Sequence, residues 1–247
     1  MLEIENVSFG YRGQHVLENF SLAVPEGELR AVIGPNGAGK STLFGVMSGE
    51  HIPTRGHVRI GGRNVTRMAP YERARLGIVQ AFQVARFFAD LSVRDNVRIA
   101  VLARRRKDHA FWQGAMSPAV DREVDEVLED LHLAPLASRE SRSLSQGDKK
   151  RLEIAMALAL KAKLLLLDEP TAGMSPHETE ATVDLIRTIW QRGGLTLILT
   201  EHDMQVVFSL AQQVTVLVAG ELLCTGSPEE IRVRDDVRQA YLGRADA

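Results

Sequence analysis

The stretch Gly34-Pro35-Asn36-Gly37-Ala38-Gly39-Lys40-Ser41-Thr42 has the residue types and the spacing needed to hold a chain of phosphates. Phosphate oxygens want a ring of backbone N–H donors, and only small residues let the backbone wrap that closely. Gly34, Gly37 and Gly39 keep Cβ atoms out of the way, with Asn36 and Ala38 between them. A helix beginning near Ser41 and Thr42 adds the positive end of its dipole. Lys40 then reaches the β and γ phosphates as a compact cation, and the Ser41 hydroxyl is a ligand for Mg²⁺. The alternative, a glycine-rich turn ahead of a helix, leaves Lys40-Ser41-Thr42 without a purpose.

Two further groups carry chemistry. Leu164-Leu165-Leu166-Leu167-Asp168-Glu169 puts two carboxylates at the carboxyl end of a buried strand, the edge at which open α/β sheets bind ligands. Asp168 suits Mg²⁺ held through its water shell, and Glu169 suits accepting a proton from an attacking water. Acids also commonly follow core strands for structural reasons, but an upstream phosphate loop favours the chemical reading. Between the two motifs stands Leu144-Ser145-Gln146-Gly147-Asp148-Lys149-Lys150-Arg151, which taken alone is a helix N-terminus capped by Ser145.

The elements that position these groups can be read from periodicity. Leu29 to Ile33 is an apolar strand before the phosphate loop, and Ser41 to Met47 is helical after it. Leu2 to Phe9 and Val16 to Val24 alternate as antiparallel strands, and Gly56 to Gly62 forms another small hairpin. Leu76 to Gln83 reads as a buried strand. From Val84 to Ala159 the pattern is helical, with Val120, Val124, Val127, Leu128 and Leu131 on one face. Leu164 to Leu167 and Leu195 to Thr200 are continuous apolar runs, as in parallel strands covered on both sides. A helix over Thr179 to Trp190 separates them. Val214 to Val218 and Glu221 to Cys224 close the chain as a hairpin before a short helical tail.

Composition narrows the class. The 247 residues are 45% apolar and 25% charged, as in a soluble globular protein. A formal charge of −2 offers no basic footprint, so no nucleic-acid partner is expected. The single cysteine, Cys224, cannot form an internal disulfide and reads as a small buried thiol in a reducing compartment, with a reactive thiol as the lesser alternative. No secretory signal precedes the first strand. Ile154 to Leu167, broken by Lys161 and Lys163, is too short to span a bilayer. The expected location is cytoplasmic, peripheral on the inner face of the cell membrane if a partner holds it there.

With the phosphate loop and the two carboxylates around it, Ser145 to Asp148 resembles the signature of ATP-binding-cassette (ABC) ATPases, commonly Leu-Ser-Gly-Gly-Gln. The resemblance covers nearly the whole chain. It implies an α/β P-loop NTPase fold with an antiparallel β subdomain and a helical insertion. Residues 1–83 and 160–247 would form the core and β subdomain, and 84–159 the helical one. It places Tyr11 on the adenine ring with Val16 beside the base. Gln83 becomes the glutamine that touches Mg²⁺ and water, and His202, in Thr200-Glu201-His202-Asp203, the switch histidine at the γ phosphate. ATP and Mg²⁺ are the implied ligands, with Lys40, Glu169 and His202 as the catalytic group.

The sequence departs from the family at three places: Gln146 and Asp148 replace the signature's Gly and Gln, and Ser175 stands where Asp is common. The first two change the hydrogen bonds expected near the opposite nucleotide, with Asp148 bringing an anion close to phosphate, and the third bears on cross-talk between sites. In this family the signature of one chain closes over ATP bound to another, so a second ABC subunit is expected, in a twofold pair with two ATP sites. Permease subunits would dock at a groove near Gln83 lined by Phe87, Phe88 and Leu91, each of which reads equally well as a core side chain of the helical insertion, and a substrate-binding protein would act indirectly. Ala81-Phe82-Gln83, Arg151 to Ala155, Thr200 to Met204 and Ala240-Tyr241-Leu242-Gly243 resemble importers of branched-chain amino acids, amides and urea. The longer stretch between Val97 and Val120 also suits that group; its basic run Arg104 to Lys107 reads most simply as a solvated helix end, with contact to anionic lipid headgroups as the lesser alternative. The lipopolysaccharide-export ATPase and a soluble, non-transport ABC ATPase are the alternatives. A GTPase is disfavoured because no Asn-Lys-x-Asp motif occurs, and a non-catalytic binder because Lys40, Asp168, Glu169 and His202 are all present.

Overall fold

The computed structural model describes residues 1–11, 13–81, 87–105 and 117–242. Its strands are β1 (Leu2–Tyr11), β2 (Gln14–Val24), β3 (Leu29–Ile33), β4 (Arg55–Ile60), β5 (Arg63–Asn64) and β6 (Ile78–Ala81). After the helical region come β7 (Leu164–Asp168), β8 (Thr196–Thr200), β9 (Gln213–Val218) and β10 (Glu221–Gly226). They form an antiparallel sheet in the order β2-β1-β4-β5 and a larger sheet in the order β10-β9-β3-β8-β7-β6, parallel except for β10.

Every residue of β3, β7 and β8 is buried, so both faces of the larger sheet are covered. Side chains alternate across it, as the period of a strand demands. Leu165, Leu167, Leu197 and Leu199 enter one core, and Leu164, Leu166 and Ile198 enter the other. The second core also takes Phe20, Leu43, Phe44 and Met47, from the antiparallel sheet and from α1 (Lys40–Ser48). Each fully buried leucine contributes about 2 kcal/mol by apolar transfer.

The short α2 (Pro70–Arg75) supplies Arg73, which is fully buried and donates to Val46 O at 2.6 Å, Met47 O at 2.7 Å and Thr66 O at 3.1 Å. A guanidinium therefore closes the carboxyl end of α1, where helical carbonyls lack partners. Burial pushes its pKa down to about 10.

Helices α3 (Val93–Arg105), α4 (Pro118–Asp130) and α5 (Gln146–Ala159) pack together in the region read as helical, and α5 also lies against β6. Val120, Val124 and Leu128 form the buried face of α4, as their spacing predicts. Asn96 staples the entry to this region. Its amide donates to Phe88 O, Ser92 O and Ser141 Oγ, each at 3.0 Å, and accepts the Phe88 N–H at 2.8 Å. Arg104 and Arg105 both pair with Glu123 of α4, so this half of the basic run is engaged within the fold. Arg106 and Lys107 lie outside the described residues.

Two expectations shift. Of the strand read over Leu76 to Gln83, β6 takes Ile78–Ala81 among the described residues, with Val79 and Gln80 half-buried at the sheet's edge, while Leu76 and Gly77 precede it and Phe82 and Gln83 lie outside those residues. The helix read from Thr179 begins earlier, as α6 (Pro176–Gln191), because Ser175 and Glu178 form a capping box ahead of it. The remaining described helices are α7 (Met204–Leu210), between β8 and β9, and α8 (Pro228–Val233) and α9 (Asp235–Leu242), after β10. Among the described residues no helix is long and apolar enough to cross a membrane.

Candidate functional site

The phosphate loop leaves β3 and enters α1 through Gly39, which has φ 106° and gives the helix no side-chain cap. The first amides of α1 thus have no capping side chain of their own, the arrangement that suits an anion. Gly34 is required by space: a Cβ there would lie 2.1 Å from Leu217 O. Gly37 is required by conformation, with φ 76° and nothing within 4 Å of a Cβ. Asn36 and Gly37 are exposed and Ala38 is buried. Thr42 is half-buried, while Ser41 at the mouth is exposed. Lys40 is buried at 8% exposure and donates to Gly34 O at 2.7 Å and Pro35 O at 3.3 Å. Burial pushes the Lys40 pKa down, against the pull of Glu169 and Asp168.

Those two carboxylates end β7, and the parallel register sets Asp168 opposite Thr200 of β8. Thr200, fully buried, donates from Oγ1 to Asp168 Oδ1 at 2.5 Å and accepts the Glu169 N–H at 3.1 Å. Glu169 also donates its N–H to Thr200 O at 3.2 Å, which holds the backbone at φ 47°, a left-handed conformation a non-glycine residue adopts at a cost. The turn aims its side chain at His202, whose Nε2 lies 2.9 Å from Glu169 Oε1. The fold thus gathers Lys40, Asp168, Glu169 and His202 at one sheet edge.

Three residues take part to which the sequence assigned no role: Thr200, Thr171 and Glu201. Glu201, 4% exposed, accepts from Thr171 N at 2.8 Å and Thr171 Oγ1 at 2.7 Å through Oε1, and from His202 N at 3.2 Å through Oε2. One carboxylate therefore ties the histidine loop to the loop that follows Glu169. The available signal was an acid directly after a buried strand, the same pattern that singled out Asp168.

Other expected residues lie apart from this edge. Ser145 caps α5, accepting the Asp148 N–H at 3.1 Å and donating to Asp148 Oδ2 at 2.9 Å. Arg151 pairs with Asp148 at 3.3 Å, so the anion that departs from the signature is already neutralised within its own helix. Ser145 and Gln146 are exposed, and Gly147 is buried against Glu178 at the start of α6. Ser175 donates to Glu178 Oε2 from N at 3.0 Å and from Oγ at 2.8 Å, which holds the Glu178 carboxyl below its usual range.

The hairpin of β1 and β2 comes over the loop through Val16, which is half-buried; its carbonyl would be 3.0 Å from a Cβ at Gly39. Tyr11, at the end of β1, is 50% exposed. Gln83 lies outside the described residues. Of the groove residues, Phe88 is exposed but Phe87 packs onto the main core. A cavity of about 320 Å³ opens beside β6, lined by Tyr71, Ile78, Ala81, Glu153, Met156 and Leu160. Burial pushes the Glu153 carboxyl up, opposed by Lys150 at 3.2 Å.

A phosphate loop entering a helix, two carboxylates at the adjoining strand end, and a histidine facing the second of them define a nucleotide-hydrolysing cassette. Residues 17–172 match the ABC transporter family, and the chain belongs to it. It is an ATP-binding, ATP-hydrolysing subunit of that family. Residues 221–247 match a second family, the branched-chain amino acid ATP-binding cassette transporter. The chain is 34% identical over 253 residues to the high-affinity branched-chain amino acid transport ATP-binding protein BraF of Pseudomonas aeruginosa, covering 99% of this chain and 98% of that one. It is 36% identical over 244 residues to the lipopolysaccharide export system ATP-binding protein LptB of Acidithiobacillus ferridurans, covering 98% and 97%. A solved nucleotide-free ATP-binding cassette from an ABC transporter shares the fold, with TM-score 0.86 and 24% identity over 97% of this chain and 98% of the other.

Proposed function

We propose that this chain drives import of branched-chain amino acids or related amides, as a twofold pair of cassettes docked on membrane permeases at the inner face of the membrane. The hydrolytic part rests on the 2.9 Å contact of Glu169 with His202 beside Lys40. The cargo rests on the match of residues 221–247 to the branched-chain family. The lipopolysaccharide-export reading keeps the support of 36% identity to LptB.

In this mechanism Asn36 to Thr42 wrap the phosphates, Lys40 leaves its loop carbonyls for the γ phosphate, and Tyr11 and Val16 receive the base. Glu169 takes a proton from the attacking water, and His202 orients that carboxylate and the phosphate. Among the described residues no group of three or more His, Cys, Asp or Glu side chains converges on a metal site. What remains is one carboxylate, Asp168, and one hydroxyl, Ser41, with Gln83 as a further oxygen donor. That set fits Mg²⁺, which prefers few protein ligands alongside phosphate oxygens and water. When bound, Mg²⁺ neutralises charge on the phosphates.

Ser145, Gln146, Gly147 and Asp148 would serve the partner's nucleotide, as their resemblance to the family signature implies, and Ser145 and Gln146 are exposed for it. Closing and opening of the pair would then swing the helical unit 84–159 against the core of 1–83 and 160–247. The cavity beside β6 would pass that motion to a permease, with a substrate-binding protein supplying cargo from the far side.

The test is ATPase activity across protein concentrations, with oligomeric state followed for Glu169→Gln. Activity rising steeply with concentration and an ATP-dependent dimer support the paired mechanism. Concentration-independent turnover by a monomer removes the in-trans role of Ser145 and Gly147. Uptake of labelled leucine by vesicles holding the chain with its permeases separates the importer from the exporter.

A further inference from the structure

Tyr11 does not stand alone at the end of β1. Its Oη shares a hydrogen bond of 2.9 Å with Nε2 of His51, which follows α1. The imidazole stacks on Phe9, with centroids 4.9 Å apart and planes inclined by 16°. Tyr11 stands edge-on to both rings, at 5.0 Å from Phe9 (90°) and 5.7 Å from His51 (89°). Phe9 and Tyr11 are two residues apart on a strand and so project to the same side. His51 is anchored from below by its own N–H, which donates to Gly45 O at 2.9 Å.

The helix that carries Lys40 makes room for this imidazole. A Cβ at Gly45 would come within 2.3 Å of His51 Cδ2. Glycine inside a helix is unfavourable, and here its absent side chain is the space His51 occupies. The ring of Tyr11 is thus bound to the helix of the phosphate loop through His51, while no ring among the described residues lies parallel to it. A flat base could stack there, with the tyrosine already oriented.

We propose that His51 is a positioning residue for the base of the nucleotide: it fixes the Tyr11 ring relative to α1, and so sets the distance between the stacking surface and the phosphate loop. The inference rests on the reading of Tyr11 as the adenine platform. An ordered platform loses less freedom on binding than a mobile one, so the gain is affinity for the base-bearing ligand alone.

The experiment is a titration of the full chain with ATP and with inorganic tripolyphosphate, which has no base. It compares Tyr11→Ala, His51→Ala and His51→Gln, the last keeping a polar group near the position of Nε2. Loss of one such hydrogen bond is expected to weaken ATP about fivefold. Tripolyphosphate affinity should stay unchanged in His51→Ala, and His51→Gln should recover most of the ATP affinity. Equal weakening of both ligands in His51→Ala, or no weakening of ATP, overturns the role of His51, as does a His51→Gln variant no better than alanine. If Tyr11→Ala binds ATP as the unaltered chain does, the adenine role of Tyr11 fails and takes the proposal with it. Weakening in Tyr11→Ala with none in His51→Ala removes the role of His51 alone.

Discussion

Thr200 Oγ1 donates to Asp168 Oδ1 over 2.5 Å while accepting the N–H of Glu169 at 3.1 Å, so one hydroxyl on β8 sets both carboxylates at the end of β7. A hydroxyl offers one donor and two lone pairs, and both kinds are used here. Thr200→Val keeps the shape and removes both bonds. Urea unfolding should show a loss of about 1–3 kcal/mol, the cost of leaving buried polar groups unmet. ATP turnover should fall with it, and Thr200→Ser should restore both. A valine variant with unaltered stability and turnover would show the hydroxyl to be dispensable.

Glu169→Gln keeps the shape of the side chain that faces His202 and removes its basicity. Turnover should drop by about 10²–10⁴-fold, the range for a positioned proton acceptor, with ATP affinity retained. Phosphate release measured beside equilibrium nucleotide binding separates the two effects. Undiminished release would exclude Glu169 as the base.

Glu201 joins Thr171 to the backbone of His202, so the two loops should be coupled energetically. A double-mutant cycle of Glu201→Gln and Thr171→Val should give an interaction energy of about 0.5–3 kcal/mol in unfolding experiments. Additive effects would mean that the 2.7 Å bond from Thr171 Oγ1 contributes no coupling.

Gly34 and Gly37 make different demands, and their alanine variants should differ accordingly. Gly34→Ala drives a methyl to 2.1 Å from the Leu217 carbonyl, so phosphate binding should be abolished and the yield of folded protein reduced. Gly37→Ala meets no atom within 4 Å and only strains φ 76°, costing about 1–2 kcal/mol. Thermal unfolding of the two variants in parallel, with nucleotide titration, checks the ranking.

The fold was legible where the signal was local. Buried parallel strands read as unbroken apolar runs, which is why Leu164 to Leu167 and Leu195 to Thr200 stood out, and Gly34 to Thr42 carries its chemistry within one loop. Thr200 was not legible in its role, because its bond to Asp168 crosses 32 residues and depends on the register of two strands. Glu201 escaped for the same reason. At Ser145 the modest reading is also present, since the residue caps α5 whatever it contributes to a partner. Ser175 likewise caps α6, a task that Asp performs equally well, so the departure from the family preserves the helix start. Phe87 was readable either as a groove residue or as a core residue, because an aromatic side chain carries no mark in the sequence of which way it turns; it is half-buried and packs against the main core.

Cys224 gives the molecule an internal clock. The chain has one thiol, buried in β10 against the main core, with its pKa pushed up by that burial. Only a thiolate attacks a labelling reagent, so modification must wait for β10 to separate from its neighbours. Because β10 pairs with β9, and β9 lies beside β3, the strand that feeds the phosphate loop, the labelling rate times the opening of that edge of the sheet. A nucleotide that braces the loop should slow the clock, with no dye or engineered residue to disturb it.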